Sequence, residues 1–245
     1  KLIINKNSKG ISIDLSSCDE DNNKKNDFRS SFHSPTHSIM TFIDSFPDFH
    51  DYESQVDDII EFEENIGVVE IYDVENYIMY KLYDKLYPSK QNKKDKIFYD
   101  KCCRLAFIKP ENYIKDKNIV NEKLWNTCIE YINEIDDKLT PIDKLKCYQK
   151  AIDILQNSIT FCSGKDNLGT DDVLNPLIYI IIKSKPKNIY SNYNYCETYL
   201  NSDLAKSQYG LLLSQLGISM NVIMEMNYTD LIGVTEEQFG KDLSN

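Results

Sequence analysis

Glycine and proline are scarce in this 245-residue sequence, at 8 and 7 residues, too few for the repeated tight turns of a many-stranded sandwich or barrel. Histidine is scarcer still. His33, His37 and His50 all lie in the first fifth of the chain, so the remainder lacks the side chain required for His-based acid–base or nucleophilic catalysis and for a Cys/His zinc site. The longest apolar run, Leu177 to Ile182, falls far short of the ~20 residues that span a bilayer. Positive charge is in deficit: 28 Lys and Arg against 39 Asp and Glu leave a net charge of −11. A field of that sign repels phosphate backbones, which excludes nucleic acid as a partner. The seven cysteines show no CxxC spacing and read as reduced thiols of a cytoplasmic protein. His33 and His37 have helical metal spacing but sit in a Ser/Pro-containing stretch, and neither a metal nor a cofactor is expected.

What is present favours helices. Hydrophobic residues make up 41% and charged residues 27%, enough for a substantial core. Residues 1–45 are rich in Asn, Ser, Lys and Asp and read as an extended or disordered arm. Within it, Leu2 to Asn5 and Ile11 to Leu15 suit a local hairpin about Ser8-Lys9-Gly10.

Beyond Phe46, apolar residues recur at helical spacing. Ile59, Phe62 and Ile66 form one stripe, and Val74, Ile78, Leu82 and Leu86 another that ends at Tyr87-Pro88. Phe98, Cys102, Leu105 and Ala106 mark a third helix, and Leu124, Cys128, Ile132 and Ile135 a fourth. Thr140-Pro141 reads as the N-cap and first residue of the next helix, whose stripe is Leu145, Tyr148, Ile152, Leu155 and Ile159. Phe161 to Thr170 reads as an exposed loop. A further helix starts at Thr170-Asp171-Asp172, followed by one over Asn188 to Leu200, a long one over Leu204 to Met226, and a last element from Thr235. The expected fold class is all-α: a helical bundle over 46–138 packed in tandem on a second helical domain over 139–245.

Few local features suggest chemistry. Ser163-Gly164-Lys165-Asp166 has a Gly-Lys pair without the rest of a phosphate-binding loop. The Tyr- and Asn-rich run Tyr190 to Tyr195 lacks the nearby arginines of a base-stacking surface, and packing is its simpler role. The Asp171-Asp172 pair at a helix start suits capping and the helix dipole.

The order of several segments carries more. Thr140 to Cys147 (TPIDKLKC), Gly169 to Tyr179 (GTDDVLNPLIY), Lys183 to Pro186 (KSKP) and Ser191 to Tyr195 (SNYNY) resemble the vacuolar-protein-sorting-nine (Vps-nine) domain family. Upstream, Glu75 to Tyr87 is similar to the helical bundle that precedes this domain in family members. The resemblance implies a guanine-nucleotide exchange factor for a small GTPase of the Rab-five subfamily, cytoplasmic and recruited peripherally to early endosomes. Such a protein changes no covalent bond. By position, the resemblance points to Asp171 as the acid inserted into the nucleotide and magnesium site of the GTPase. The partner-binding residues it implies are Asp172, Asn175, Pro176 and Ile178 on one helix and Tyr209, Leu211, Ser214, Gln215 and Ile218 on another.

Two departures stand out. The family's proline position holds Asn175, with proline displaced to Pro176; the alternative register makes Asp172 the inserted acid. Where the family reads Tyr-x-x-Thr-Asn-Leu, this chain has Leu211-Leu212-Leu213-Ser214-Gln215-Leu216. A non-catalytic helical adaptor that keeps the fold and binds a GTPase or another partner is therefore the competing reading.

Overall fold

The computed structural model describes residues 3–7, 10–14, 35–46, 59, 71–88, 92–165 and 167–242. The stripe residues Phe62 and Ile66, together with His33 and His50, lie outside them. Among the described residues the fold is all-α apart from an N-terminal hairpin, β1 (Ile3–Asn7) against β2 (Gly10–Asp14), antiparallel with Ile3 opposite Asp14 and Asn7 opposite Gly10. The helices are α1 (Pro35–Ser45), α2 (Ile71–Leu86), α3 (Lys93–Arg104), α4 (Pro110–Tyr113), α5 (Glu122–Glu134), α6 (Pro141–Ser163), α7 (Thr170–Ser184), α8 (Ile189–Tyr199), α9 (Ser202–Ala205), α10 (Gln208–Glu225) and α11 (Glu236–Asp242). The chain divides into two compact units, Lys1–Lys85 and Leu86–Asn245.

In the first unit, Pro35–Ser45 is helical where composition suggests an extended arm. Proline at the first helical position costs no hydrogen bond, and the ring of Phe42 meets that of Phe46 edge-on at 5.2 Å. The Lys85 ammonium donates to the Phe46 carbonyl, and the Tyr77 hydroxyl reaches the Met40 sulfur at 3.8 Å.

The second unit holds the main core. Phe98 and Cys102 of α3, Trp125 and Cys128 of α5, Tyr148 and Leu155 of α6, Leu177 and Ile180 of α7, and Leu216 and Ile223 of α10 join in one cluster. Helix α7 is its axis. From Val173 to Ile182 only Leu174 and Asn175 escape full burial, as expected of a segment apolar on every side. That settles the choice between strand and central helix: fifteen residues of helix, with acids in its first turn, suit the helix dipole.

Small polar residues start these helices by giving the unpaired N–H groups of the first turn an acceptor. Asn92 accepts from the Lys94 N–H at 2.9 Å, Asn121 from Leu124 at 3.2 Å and Thr140 from Asp143 at 3.2 Å. Two boundaries differ from the periodicity. Helix α6 runs through Phe161 to Ser163 and stops at Gly164, whose φ of 66° is left-handed, a conformation glycine adopts without cost. The segment 204–226 is not one helix: α9 ends at Ala205, and Ser207 restarts the chain by accepting from the Tyr209 N–H at 3.3 Å.

Helix α8 is capped from a distance. The Asn188 side chain makes no capping bond. Instead the buried Asp95 carboxylate of α3 accepts from the N–H groups of Tyr190 (2.7 Å) and Ser191 (3.2 Å) and from the Ser191 hydroxyl. Burial holds this carboxyl above its ordinary range, although its donors pull the other way. Asn192 donates to Asp136 at 2.6 Å and accepts from the Tyr87 hydroxyl at 2.9 Å. The Ser-Asn-Tyr run of the sequence is thus a structural joint between helices.

Candidate functional site

The acidic pair sits at the N-terminus of α7, and its two members have different surroundings. The Asp172 carboxylate accepts from the Gly169 N–H at 2.9 Å and pairs with the Lys165 ammonium at 3.3 Å. The Gly169 N–H, and then Lys165, hold its pKa below the ordinary carboxylate value. Because Gly169 has no side chain with which to cap the helix, Asp172 reaches back to bind its N–H, as in one half of a capping box. Asp171 is exposed and has no hydrogen-bond or ion-pair partner among the described residues. The fold thus consumes one acid and leaves the other available.

The rest of this helix turns inward. Asn175 is half-buried, Pro176 is buried and Ile178 is 1% exposed. Asn175 and Ile178 share a helical stripe with Asp171 only in projection, and Pro176 lies off that stripe; the helix enters the core within two turns, so Pro176 and Ile178 present no contact surface. Pro176 also has no N–H to donate to the Asp172 carbonyl four residues before it.

Helix α10 packs against α7. Leu212, Leu213, Leu216, Ser219, Met220 and Ile223 form its buried side. The opposite side is continuous: Leu211, Ser214, Ile218, Asn221 and Glu225 follow each other at intervals of three and four residues, and all are exposed. Leu211 is 74% and Ile218 52% exposed, two large aliphatic side chains in water on one face. The Ser214 hydroxyl donates to the Gly210 carbonyl at 2.9 Å. Gln215 and Tyr209 are half-buried, and Tyr209 packs on the core. Tyr209 is therefore a support of the helix start, and Leu211 is the residue that faces outward.

No helix among the described residues is long and apolar enough to cross a membrane, and among those residues no cluster of three or more His, Cys, Asp or Glu is disposed to hold a metal ion. Cys102, Cys103, Cys128, Cys147, Cys162 and Cys196 are free thiols. Burial pushes Cys102 and Cys196 up to about 12 and Cys128 to about 11, which removes them as nucleophiles at neutral pH.

The comparisons with known proteins concern the stretch of sequence that builds these helices. Residues 125–228 match the vacuolar sorting protein 9 (VPS9) domain. Under half of the chain is thus similar to that family. Among curated relatives, "Vacuolar protein sorting-associated protein 9A" of Arabidopsis thaliana is 28% identical over 132 residues, 51% of this chain and 25% of that protein. The "Rab5 GDP/GTP exchange factor" of Homo sapiens is 26% identical over 178 residues, 70% of this chain and 36% of that protein. "Receptor-mediated endocytosis protein 6" of Caenorhabditis elegans is 25% identical over 132 residues, 51% of this chain and 12% of that protein. The chain thus spans about a third or less of the length of these relatives. The VPS9 match begins within α5 and takes in α6, α7, α8 and α10; helices α2 and α3 precede it.

Residue patterns alone did not reveal Lys165 or Asp95 as parts of this architecture. Lys165 carries a faint signal, since a glycine just past a periodic apolar stripe marks a helix end and places the next side chain beside the following helix. Asp95 carries none, because its partners lie 95 and 96 residues away.

Proposed function

We propose that this chain accelerates GDP release from a small GTPase of the Rab5 type, with Asp171 as the residue that enters the nucleotide site. The observation that carries this reading is the unequal fate of the acidic pair: Asp172 is bound by Gly169 and Lys165, while Asp171 is exposed at the helix tip. The match of residues 125–228 to the VPS9 domain, and a relative named as a Rab5 GDP/GTP exchange factor, support the partner class.

The chemistry is electrostatic substitution. A GTPase holds its phosphates through backbone N–H groups and a lysine, with magnesium bridging. A carboxylate delivered there satisfies those donors and opposes magnesium ligation, stabilising the nucleotide-free state relative to the loaded one. Exchange is then a shift of population without covalent chemistry. The outward face of α10, with Leu211, Ser214 and Ile218, supplies the apolar contact that orients the acid. In cells, this activity would place the protein at early endosomes, bound peripherally.

The test is release of a fluorescent GDP analogue from a Rab5-type GTPase. Accelerated release by the wild type, lost in Asp171→Ala with an unchanged melting temperature, is the expected result. Retention in Asp171→Ala with loss in Asp172→Ala would overturn the assignment of the acid. Binding without release would favour the adaptor reading, which rests on leucine, not tyrosine, at position 211.

A further inference from the structure

Phe161 is 83% exposed, more than any other large hydrophobic side chain described. Single exposed apolar residues are ordinary, so exposure alone assigns it nothing. Its setting is more specific. Phe161 lies in the last turn of α6, whose backbone is locked by the left-handed Gly164 and by the Gly164 N–H donating to the Thr160 carbonyl at 2.9 Å. Four residues on, just past the helix end, Lys165 extends its ammonium to Asp172. Leu168 packs against the core and anchors the connection between α6 and α7. A rigid backbone therefore presents an aromatic ring at the same end of the domain as the acidic tip. Such a ring loses little conformational entropy on binding, as interface anchors require.

We infer that Phe161 is a second contact for the GTPase, seating in an apolar depression that borders the nucleotide site receiving Asp171. This rests on the exchange-factor reading. A lipid bilayer is the poorer occupant: Lys165 is already paired, Asp171 stands close by, and the chain carries a net charge of −11, which anionic headgroups repel. The site thus extends from the outward face of α10, past the tip of α7, to the end of α6.

The kinetic signature separates the two contacts. A ring that touches the partner equally in the loaded and nucleotide-free complexes contributes uniform binding, so Phe161→Ala should raise KM about tenfold and leave kcat nearly unchanged. Asp171→Ala should instead lower kcat. Phe161→Tyr should recover most of the lost affinity, and the melting temperature of both Phe161 variants should match the wild type because the side chain is in water. Wild-type KM in Phe161→Ala, or a loss seen only when vesicles containing phosphatidylserine are present, would overturn the inference while leaving the exchange reading intact. If the wild type releases no nucleotide, affinity for nucleotide-free GTPase decides: weaker binding by Phe161→Ala upholds the contact, and equal or absent binding overturns it.

Discussion

Gly210 lies in the first turn of α10, and replacing it by alanine sets two effects against each other. Helix propensity alone favours alanine by about 1 kcal/mol. The tertiary structure opposes it: a Cβ at this position would stand 1.8 Å from the Ala205 carbonyl oxygen and 2.8 Å from its carbon. Both are backbone atoms, so no side chain can rotate away, and ordinary contact requires a displacement of more than 1 Å. That displacement must come from the joint between α9 and α10. The joint is held by the Ser207 N–H and hydroxyl donating to the Leu204 carbonyl (3.0 and 2.6 Å) and by the Tyr209 N–H donating to Ser207. Losing two such bonds costs about 1 kcal/mol each, and overpacking typically costs 1–3 kcal/mol. After the propensity gain, Gly210→Ala should be less stable by about 2–4 kcal/mol in urea-induced unfolding followed by circular dichroism. Because Leu211 and Ser214 ride on the same turn, nucleotide release should fall as well. A variant as stable as the wild type, or more so, would show that propensity prevails and that the approach of α10 to Ala205 is soft.

Other perturbations test the buried polar groups. Asp95→Ala strips three donors at the start of α8 of their acceptor and should cost about 3 kcal/mol; Asp95→Asn keeps one acceptor oxygen and removes the buried charge, and should cost about 1 kcal/mol. Equal stability of Asp95→Ala and the wild type in chemical denaturation would refute the long-range cap. Lys144 is 1% exposed, with its ammonium donating to the Ile135 carbonyl at 3.0 Å and lying 5.0 Å from the centre of the Tyr87 ring. Burial pushes it down to about 8, so between that pH and about 10.4 the unfolded chain binds more protons than the folded one. Its contribution to stability therefore rises with pH across that window. The stability of the wild type minus that of Lys144→Met should increase by about 1 kcal/mol from pH 7 to pH 9, a difference in which the opposing effect of the buried thiols cancels. A difference independent of pH would contradict the depressed value. Finally, Leu211→Asp should leave the melting temperature unchanged, since the side chain is 74% exposed, and weaken GTPase binding at least tenfold.

Much of the helical order is legible in the residues. Periodic apolar spacing marks α2, α3, α5, α6 and α8, because one face of each is sorted from water. The cap at Thr140 is local chemistry, visible within four residues, whereas the polar run from Phe161 to Thr170 reads as a loop and hides the helix end at Gly164. The acidic pair, the family resemblance and the outward spacing of Leu211, Ser214 and Ile218 also follow from sequence. What periodicity reports is an angle around a helix axis, and it carries no information on depth. Ile178 shares an angle with Asp171 yet is in the core, since α7 plunges inward after its first turns. The unequal surroundings of Asp171 and Asp172 likewise belong to the folded state, where the Gly169 N–H and the Lys165 ammonium converge on one carboxylate and leave its neighbour in water. The break between α9 and α10 is set by the close approach of two backbones at Gly210, and the cap of α8 by an aspartate from another helix. These are contacts between residues far apart in the chain or turned toward one another only by packing, which is why no local pattern contains them.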